Sequence, residues 1–317
     1  MKTISLLDTT VSDFNLGNQI IMEAVNDIIN DLFEHDFIFK LQYAEPFGKQ
    51  SMRYLRQSDY IFFGGTNSLS SQMNRYTQMG FTLSNIFYIS NLTLLGVGWW
   101  QYQSRPNLYT KYFLKKLLST TTLHSLRDSY TQKMLSDIGI HNTINTSCPT
   151  TWSLTKEHCQ KIPINKAHDV ITTFTDYNKH PIFDQTLINL LLDNYETVYF
   201  WVQGIGDLEY LNNLYIPHKQ RLKIIPPKLK NYDHLLKNTQ IDYIGTRLHA
   251  GIRALQHQQR SLIIAIDNRA KEISNDIGLN IANRDDVTKI IEFIEKPYVT
   301  DLTVPLENIS KWKEQFK

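Results

Sequence analysis

The stretch Gly245-Thr246-Arg247-Leu248-His249-Ala250-Gly251-Ile252-Arg253-Ala254-Leu255 holds the side chains best suited to chemistry. An apolar run at 241–244 leads into it, and Leu248, Ile252 and Leu255 then recur at helical spacing. A strand therefore turns into a helix here, with Thr246 as the expected N-cap. Arg247 and His249 fall in the first turn. Free backbone N–H groups and the positive end of the helix dipole favour a phosphate or carboxylate at that place. Imidazole titrates near neutral pH, which makes His249 the candidate general acid, or the base for an attacking hydroxyl. Arg253, one turn on, can add charge to the same face. The plain competing account is that Arg247 pairs with a nearby acid and His249 fills a niche.

Two further stretches repeat the pattern of a cation after a strand. Arg127 lies in Ser125-Leu126-Arg127-Asp128-Ser129, with Asp128 or Ser129 as the cap of the next helix. Arg269 and Lys271 follow the apolar run 261–266 in Asp267-Asn268-Arg269-Ala270-Lys271, where a solvated helix start is the competing account. Asn15-Leu16-Gly17-Asn18 and Gly64-Gly65-Thr66-Asn67 supply small and amide residues at loops that turn sharply or approach a ligand. Asn15, Gly17, Asn18, Gly64, Gly65 and Asn67 are therefore candidate cleft-loop positions. Gly204-Ile205-Gly206-Asp207 lacks the third glycine of a dinucleotide fingerprint and is set aside. Trp99, Trp100 and Tyr102 can stack on a sugar, although core packing claims at least one tryptophan. No Gly-x-Ser-x-Gly elbow, phosphate loop or helical histidine pair occurs, so no metal is expected.

These residues need a scaffold that presents the carboxyl ends of strands. Apolar runs at 3–7, 37–43, 60–63, 92–97, 122–126 and 143–146 read as strands. Ile20, Ala24, Ile28 and Leu32, flanked by Ile21, Val25 and Ile29, give a broad helical stripe, and helices are expected at 108–118 and 129–138. The polar segment 149–166 reads as a linker. Strands at 169–174, 197–202, 222–225, 241–244 and 261–266 then alternate with helices at 183–192, 208–214, 232–237, 248–257, 270–277 and 286–294. The expected fold is α/β, with two Rossmann-like domains at 1–150 and 167–300 facing across a cleft. Residues 301–317 carry Ile309, Trp312 and Phe316 among lysines. They are expected to form a helix packed back on the N-terminal domain, with a membrane-surface helix as the alternative.

The chain has 317 residues, of which 42% are hydrophobic and 20% charged, an ordinary globular balance. Lysine plus arginine number 33 against 31 acids, so a net charge of +2 gives no electrostatic reason to bind nucleic acid. No apolar run is long enough to cross a bilayer, and the first residues lack a signal-peptide layout. With two cysteines and no Cys-x-x-Cys, a reduced cytoplasmic setting is expected, with at most peripheral membrane association.

Taken in order, Asn15-Leu16-Gly17-Asn18, Gly64-Gly65-Thr66-Asn67, Ser125-Leu126-Arg127-Asp128, Asp137-Ile138-Gly139-Ile140 and Arg247-Leu248-His249-Ala250 with Asp267 to Lys271 resemble the polysaccharide pyruvyl transferase family. The resemblance implies a GT-B-like fold, phosphoenolpyruvate as co-substrate with no further cofactor, and a ketal or enolpyruvyl product in cell-surface exopolysaccharide biosynthesis. It implies a donor side in the C-terminal domain and an acceptor side in the N-terminal one. By the same resemblance Arg127 and His249 look like the family's active-site residues, with Arg247 beside them as a further catalytic candidate. Thr246 and either Arg269 or Lys271 complete the implied donor set. The implied acceptor is a sugar, with polymeric, lipid-linked and nucleotide-linked forms all left open by the resemblance. Departures are Asn18 for aspartate, Cys148-Pro149 for Asp-Pro, and Gln258-Gln259-Arg260 for a Gly-x-Pro turn. A glycosyltransferase using a nucleotide sugar would need an aromatic or acidic grip on base and ribose. A non-catalytic sugar-binding relative would have lost the cations.

Overall fold

The computed structural model describes residues 1–11, 13–216 and 219–317. The chain is mixed α/β and divides into two compact units, each on parallel strands. The first comprises Met1–Asp13, Ile21–Trp152 and Val304–Lys317, the second Phe14–Ile20 and Ser153–Thr303.

In the first unit, β1 (Thr3–Asp8), α1 (Leu16–Leu32), β2 (Phe37–Gln42), α2 (Lys49–Gln57), β3 (Tyr60–Gly64) and β4 (Leu92–Leu95) give a parallel sheet of order β2-β1-β3-β4. α3 (Leu108–Leu117), β5 (His124–Leu126), α4 (Ser129–Ser136) and β6 (Thr143–Asn145) follow. β5 and β6 pair with each other, and a parallel bridge between Val97 and Leu126 carries the order on from β4. β4 ends earlier than the apolar run suggests because Gly96 turns it with φ +64°. α1 presents Ile21, Val25 and Ile29 to the sheet, as its stripe requires. α12 (Leu306–Glu314) and the turn after it bury Trp312 and Phe316 against Phe33 and Phe62, and Gln315 bonds both backbone groups of Leu123.

The second unit contains α5 (Lys156–Cys159), β7 (Asp169–Thr172), α6 (Pro181–Asn194), β8 (Thr197–Trp201), α7 (Asp207–Asn212), β9 (Leu222–Ile225) and α8 (Leu229–Asn238). It continues with β10 (Ile241–Gly245), α9 (Leu248–Gln256), β11 (Ser261–Ala265), α10 (Asn268–Ile277), β12 (Ile281–Asn283) and α11 (Val287–Glu295). Its six parallel strands run β12-β11-β10-β7-β8-β9, so the order reverses between β7 and β10. That is the doubly wound Rossmann order, whose ligands bind beyond the carboxyl ends at the reversal. β10 and β11 are buried throughout, as parallel central strands must be. The Gln258-Gln259-Arg260 departure has a structural answer. Gln258 takes φ +58°, while Gln259 bonds the Ile241 amide and the Leu236 and Thr239 carbonyls. Arg260 pairs with buried Asp242.

Candidate functional site

The reversal between β7 and β10 brings three loops of the second unit together: those after β7, β8 and β10. The β10 loop is fastened to the β7 loop by a closed ring of bonds. The Arg247 amide donates to the Thr173 hydroxyl at 3.2 Å. That hydroxyl meets the Tyr243 phenol at 2.7 Å, and the phenol donates to the Arg247 carbonyl at 2.8 Å. Thr246 is drawn into this fastening and is not the N-cap expected of it. Its hydroxyl bonds the Thr173 carbonyl at 3.2 Å and the Thr175 hydroxyl at 2.8 Å. Arg247 itself is the N-cap of α9, with no side-chain cap bond.

Arg247 is buried, and the plain account of it holds in part. Its guanidinium donates from Nε to the Phe174 carbonyl at 3.1 Å, and from Nη2 to Asp176 at 3.0 Å and to Asp207. It also lies 5.2 Å from the centroid of the Tyr177 ring. A Cβ on Gly204 would collide with Nη2, so the guanidinium occupies the space that this glycine leaves open. Asp207 accepts the Gly204 amide at 2.7 Å and the Gln203 amide at 3.2 Å. Burial pushes its carboxyl above the ordinary value, against the pull of Arg247. The Gly204-Ile205-Gly206-Asp207 loop, set aside on sequence, is thus part of this site. His249 is buried in the first turn of α9.

Other expected cations are placed differently. Arg253 leaves the His249 face and forms a two-pronged pair with Asp233, at 2.7 and 2.8 Å. Arg269 pairs with Asp267, the residue that caps α10, and donates to the Tyr177 hydroxyl at 2.8 Å. Tyr177 therefore touches Arg247 with its ring and Arg269 with its oxygen. Lys271 is exposed, has no ion pair among the described residues, and borders a cavity of ≈ 430 Å³ with His180, Asn283, Arg284 and Asp285. The cavity lies at the ends of β11 and β12.

Arg127, in the first unit, also sits after a strand and before a helix. It is 1% exposed. Its Nε pairs with Asp128 at 3.0 Å, and Nη2 points to the Trp99 carbonyl at 3.4 Å. The guanidinium fills the space over Gly98. Asp128 also caps α4 through the Thr131 amide at 2.7 Å. Arg127, Arg247 and Arg269 each hold a carboxylate, because a buried guanidinium is costly without one.

The glycine and amide loops divide by role. Gly64 and Gly65 let α1 approach: a Cβ on either would strike Val25 or Ile21, and Gly65 has φ +64°. They support packing, and Asn67 is half-buried beside them. Asn15 joins the β8 loop, accepting from the Gly17 amide at 3.0 Å and from the Gln203 side chain at 2.9 Å. Asn18 closes that turn by donating to the Asn15 carbonyl at 3.0 Å. Trp99 is fully buried, which removes it as a sugar platform, whereas Trp100 packs against Tyr76 at 4.4 Å. Sequence reasoning missed Thr173, Asp176, Tyr177 and Asp207. The available signal was a polar Thr-Asp-Tyr-Asn run directly after a strand.

No group of three metal-binding side chains occurs among the described residues, and no helix among them is long and apolar enough to cross a membrane. No curated protein matches the chain at a significant level. Among solved structures, a UDP-N-acetylglucosamine 2-epimerase aligns with a TM-score of 0.45 at 10% identity, covering 99% of this chain and 90% of that one. Arabidopsis thaliana UGT89C1 complexed with quercetin aligns at 0.46 and 8% identity, covering 99% of each. A variant of the wall teichoic acid polymerase TagF aligns at 0.42 and 10%, covering 99% and 88%. A model of the family described as polysaccharide pyruvyl transferase matches residues 15–268. That match runs from the Asn15 loop through Arg127 and the Arg247–His249 junction to the start of α10, and the chain belongs to the polysaccharide pyruvyl transferase family.

Proposed function

We propose that the protein transfers the pyruvyl group of phosphoenolpyruvate onto two hydroxyls of a sugar, forming a ketal. The observation that carries this reading is the uncapped start of α9 at the strand-order reversal, with Arg247 and His249 in place. An anionic group set there completes the helix cap and meets a guanidinium held by four partners. Lys271, exposed and in no ion pair among the described residues, supplies the adaptable second cation, and is preferred to Arg269, which pairs directly with Asp267. Thr246 acts by holding the loop.

The chemistry needs proton movement and no redox step. One sugar hydroxyl adds its oxygen to C2 of the enol ester, and a proton goes to C3, making the methyl group. His249 takes the hydroxyl proton or delivers the one to carbon, since imidazole does both near neutral pH. The second hydroxyl then attacks C2, the C2–O bond to phosphate breaks, and phosphate leaves carrying that hydroxyl's proton as the ring closes.

The test is thermal stabilisation, because a ligand that binds only the folded state raises Tm. Phosphoenolpyruvate should raise it, nucleotide sugars should not, and the shift should shrink in Lys271→Ala, whose exposed side chain supports no fold contact. A shift with a nucleotide sugar alone would sink the donor assignment.

A further inference from the structure

The turn Asp176–Asn178 follows β7, and its three consecutive residues are each held by an arginine from a different element. Arg247, ahead of α9, donates to Asp176 at 3.0 Å and lies 5.2 Å from the Tyr177 ring centroid. Arg269, in α10, donates to the Tyr177 hydroxyl at 2.8 Å. Arg284, after β12, donates to the Asn178 side chain at 3.1 Å and to its carbonyl at 2.8 Å. The Asn178 side chain in turn donates to the Ile266 carbonyl at 3.1 Å. The turn is thus fixed on both sides of Tyr177, yet Tyr177 is 61% exposed. Burial of apolar area gives little reason for a large aromatic side chain there. Nor does Arg247 need it for neutralisation, since Asp176, Asp207 and the Phe174 carbonyl already satisfy its charge and its Nε and Nη2 groups. Its Nη1 group makes no hydrogen bond among the described residues.

We propose that Tyr177 is a positioning residue of the donor pocket: its ring sets the plane of the Arg247 guanidinium, and Arg269 holds that ring through the hydroxyl. The inference rests on the reading that an anionic donor binds at Arg247, and adds which side chains orient that arginine. Asp176, Asp207 and Phe174 all bond the edge formed by Nε and Nη2. Bonds along one edge leave a planar group free to tilt about it, and a ring against its face resists the tilt. An oxyanion paired across Nη1 and Nη2 needs that plane fixed, because two-pronged pairing is directional. Arg269 is then a strut and not a ligand. Asp267 takes its Nε at 2.9 Å and shares its Nη2 with the Tyr177 oxygen.

Calorimetric titration of the full chain with phosphoenolpyruvate and with inorganic phosphate tests this in wild type, Tyr177→Ala, Tyr177→Phe and Arg269→Gln. Tyr177→Ala should weaken phosphoenolpyruvate binding about tenfold, the size of a partly desolvated cation–π contact. Tyr177→Phe keeps the ring and should recover most of that loss, staying roughly two- to threefold weaker than wild type. Tyr177→Phe combined with Arg269→Gln should be no weaker than either alone, because both remove the same hydrogen bond. Tm without ligand should match wild type in both Tyr177 variants, since the side chain is largely exposed. Unchanged affinity in Tyr177→Ala would overturn the role. So would a fall in Tm that tracks the loss of affinity, the mark of a tyrosine that only supports the fold. Arg269→Gln binding far more weakly than Tyr177→Phe would overturn the strut and make Arg269 a direct ligand. Phosphate binding that is lost in Tyr177→Ala, in a protein that ignores phosphoenolpyruvate, supports the positioning role while sinking the donor assignment. Absence of either anion from wild type would overturn both.

Discussion

Arg127 and Arg247 occupy matching places in the two units and are handled in opposite ways. Each follows a parallel strand, precedes a helix, and lays its guanidinium over a glycine that ends another strand's loop, Gly98 or Gly204. In the first unit one carboxylate does everything: Asp128 pairs with Arg127 and caps α4. In the second unit the acids come from two other loops, Asp176 and Asp207, and α9 keeps an uncapped start. A neighbouring aspartate both pairs with the arginine and caps the helix, whereas distant aspartates hold the arginine and leave the helix without a side-chain cap. The first arrangement reads as closed and the second as open to an anion.

The largest expected effect asks whether the open arrangement does chemistry. His249→Ala should lower turnover on the order of 10²- to 10⁴-fold, the usual range for losing a general acid or base. Stabilisation by phosphoenolpyruvate should largely persist, as measured by Tm shift. Unchanged turnover would remove His249 from the mechanism and leave the comparison one of structure alone.

Stability should separate the two niches next. Asp128→Asn keeps an N-cap but leaves Arg127 buried with no charge partner, and should cost about 3–5 kcal/mol in denaturant unfolding. Asp207→Asn should cost less, because Arg247 retains Asp176 and the Asp207 carboxyl is already disfavoured by burial. Equal losses would mean that the two aspartates do the same job.

How much of this the residues themselves announced depends on range. The α1 stripe and the β10–α9 junction are local patterns, legible because apolar spacing and Arg-Leu-His fall within one turn. α2 was invisible to that test, since a helix with a single buried residue has no apolar period. β12 escaped because three residues give no alternation to read. The run 169–174 looked like one strand, yet Thr173 and Phe174 already belong to the loop that grips Arg247. Asp176 and Asp207 lie 71 and 40 residues from Arg247, and only the strand order brings them to it.

Acid should weaken the first unit selectively. His124, on β5 three residues before Arg127, accepts the Leu94 amide on Nδ1 and meets the Ser119 carbonyl through Nε2 at 2.9 Å. Burial lowers its pKa to about 4, from an ordinary value near 6.5. Between those values the unfolded chain binds the proton and the folded one does not, so stability falls as pH drops through the window. The loss should approach about 3 kcal/mol near pH 4, with uptake of roughly one proton. His124→Gln should flatten this dependence, measured by urea unfolding across pH. A pH profile identical to wild type would show that His124 is not the group being charged.

The smallest effect is the most specific to the open niche. Asp176 is the exposed member of Arg247's pair, with 23% of its side chain accessible against 0% for Asp207. An incoming anion competes with it for Nη2, whereas Asp207 is fixed by backbone amides. Asp176→Asn removes the competing charge yet keeps an oxygen for the Gly206 amide, which donates to Asp176 at 3.2 Å. Phosphoenolpyruvate should bind the variant roughly three- to tenfold more tightly, a gain of about 1 kcal/mol. Folding stability should change little, as expected where a partly exposed pair is relieved by a retained partner. Weaker binding in calorimetry would mean that Asp176 orients Arg247 for the donor, and that the open niche is as tightly set as the closed one.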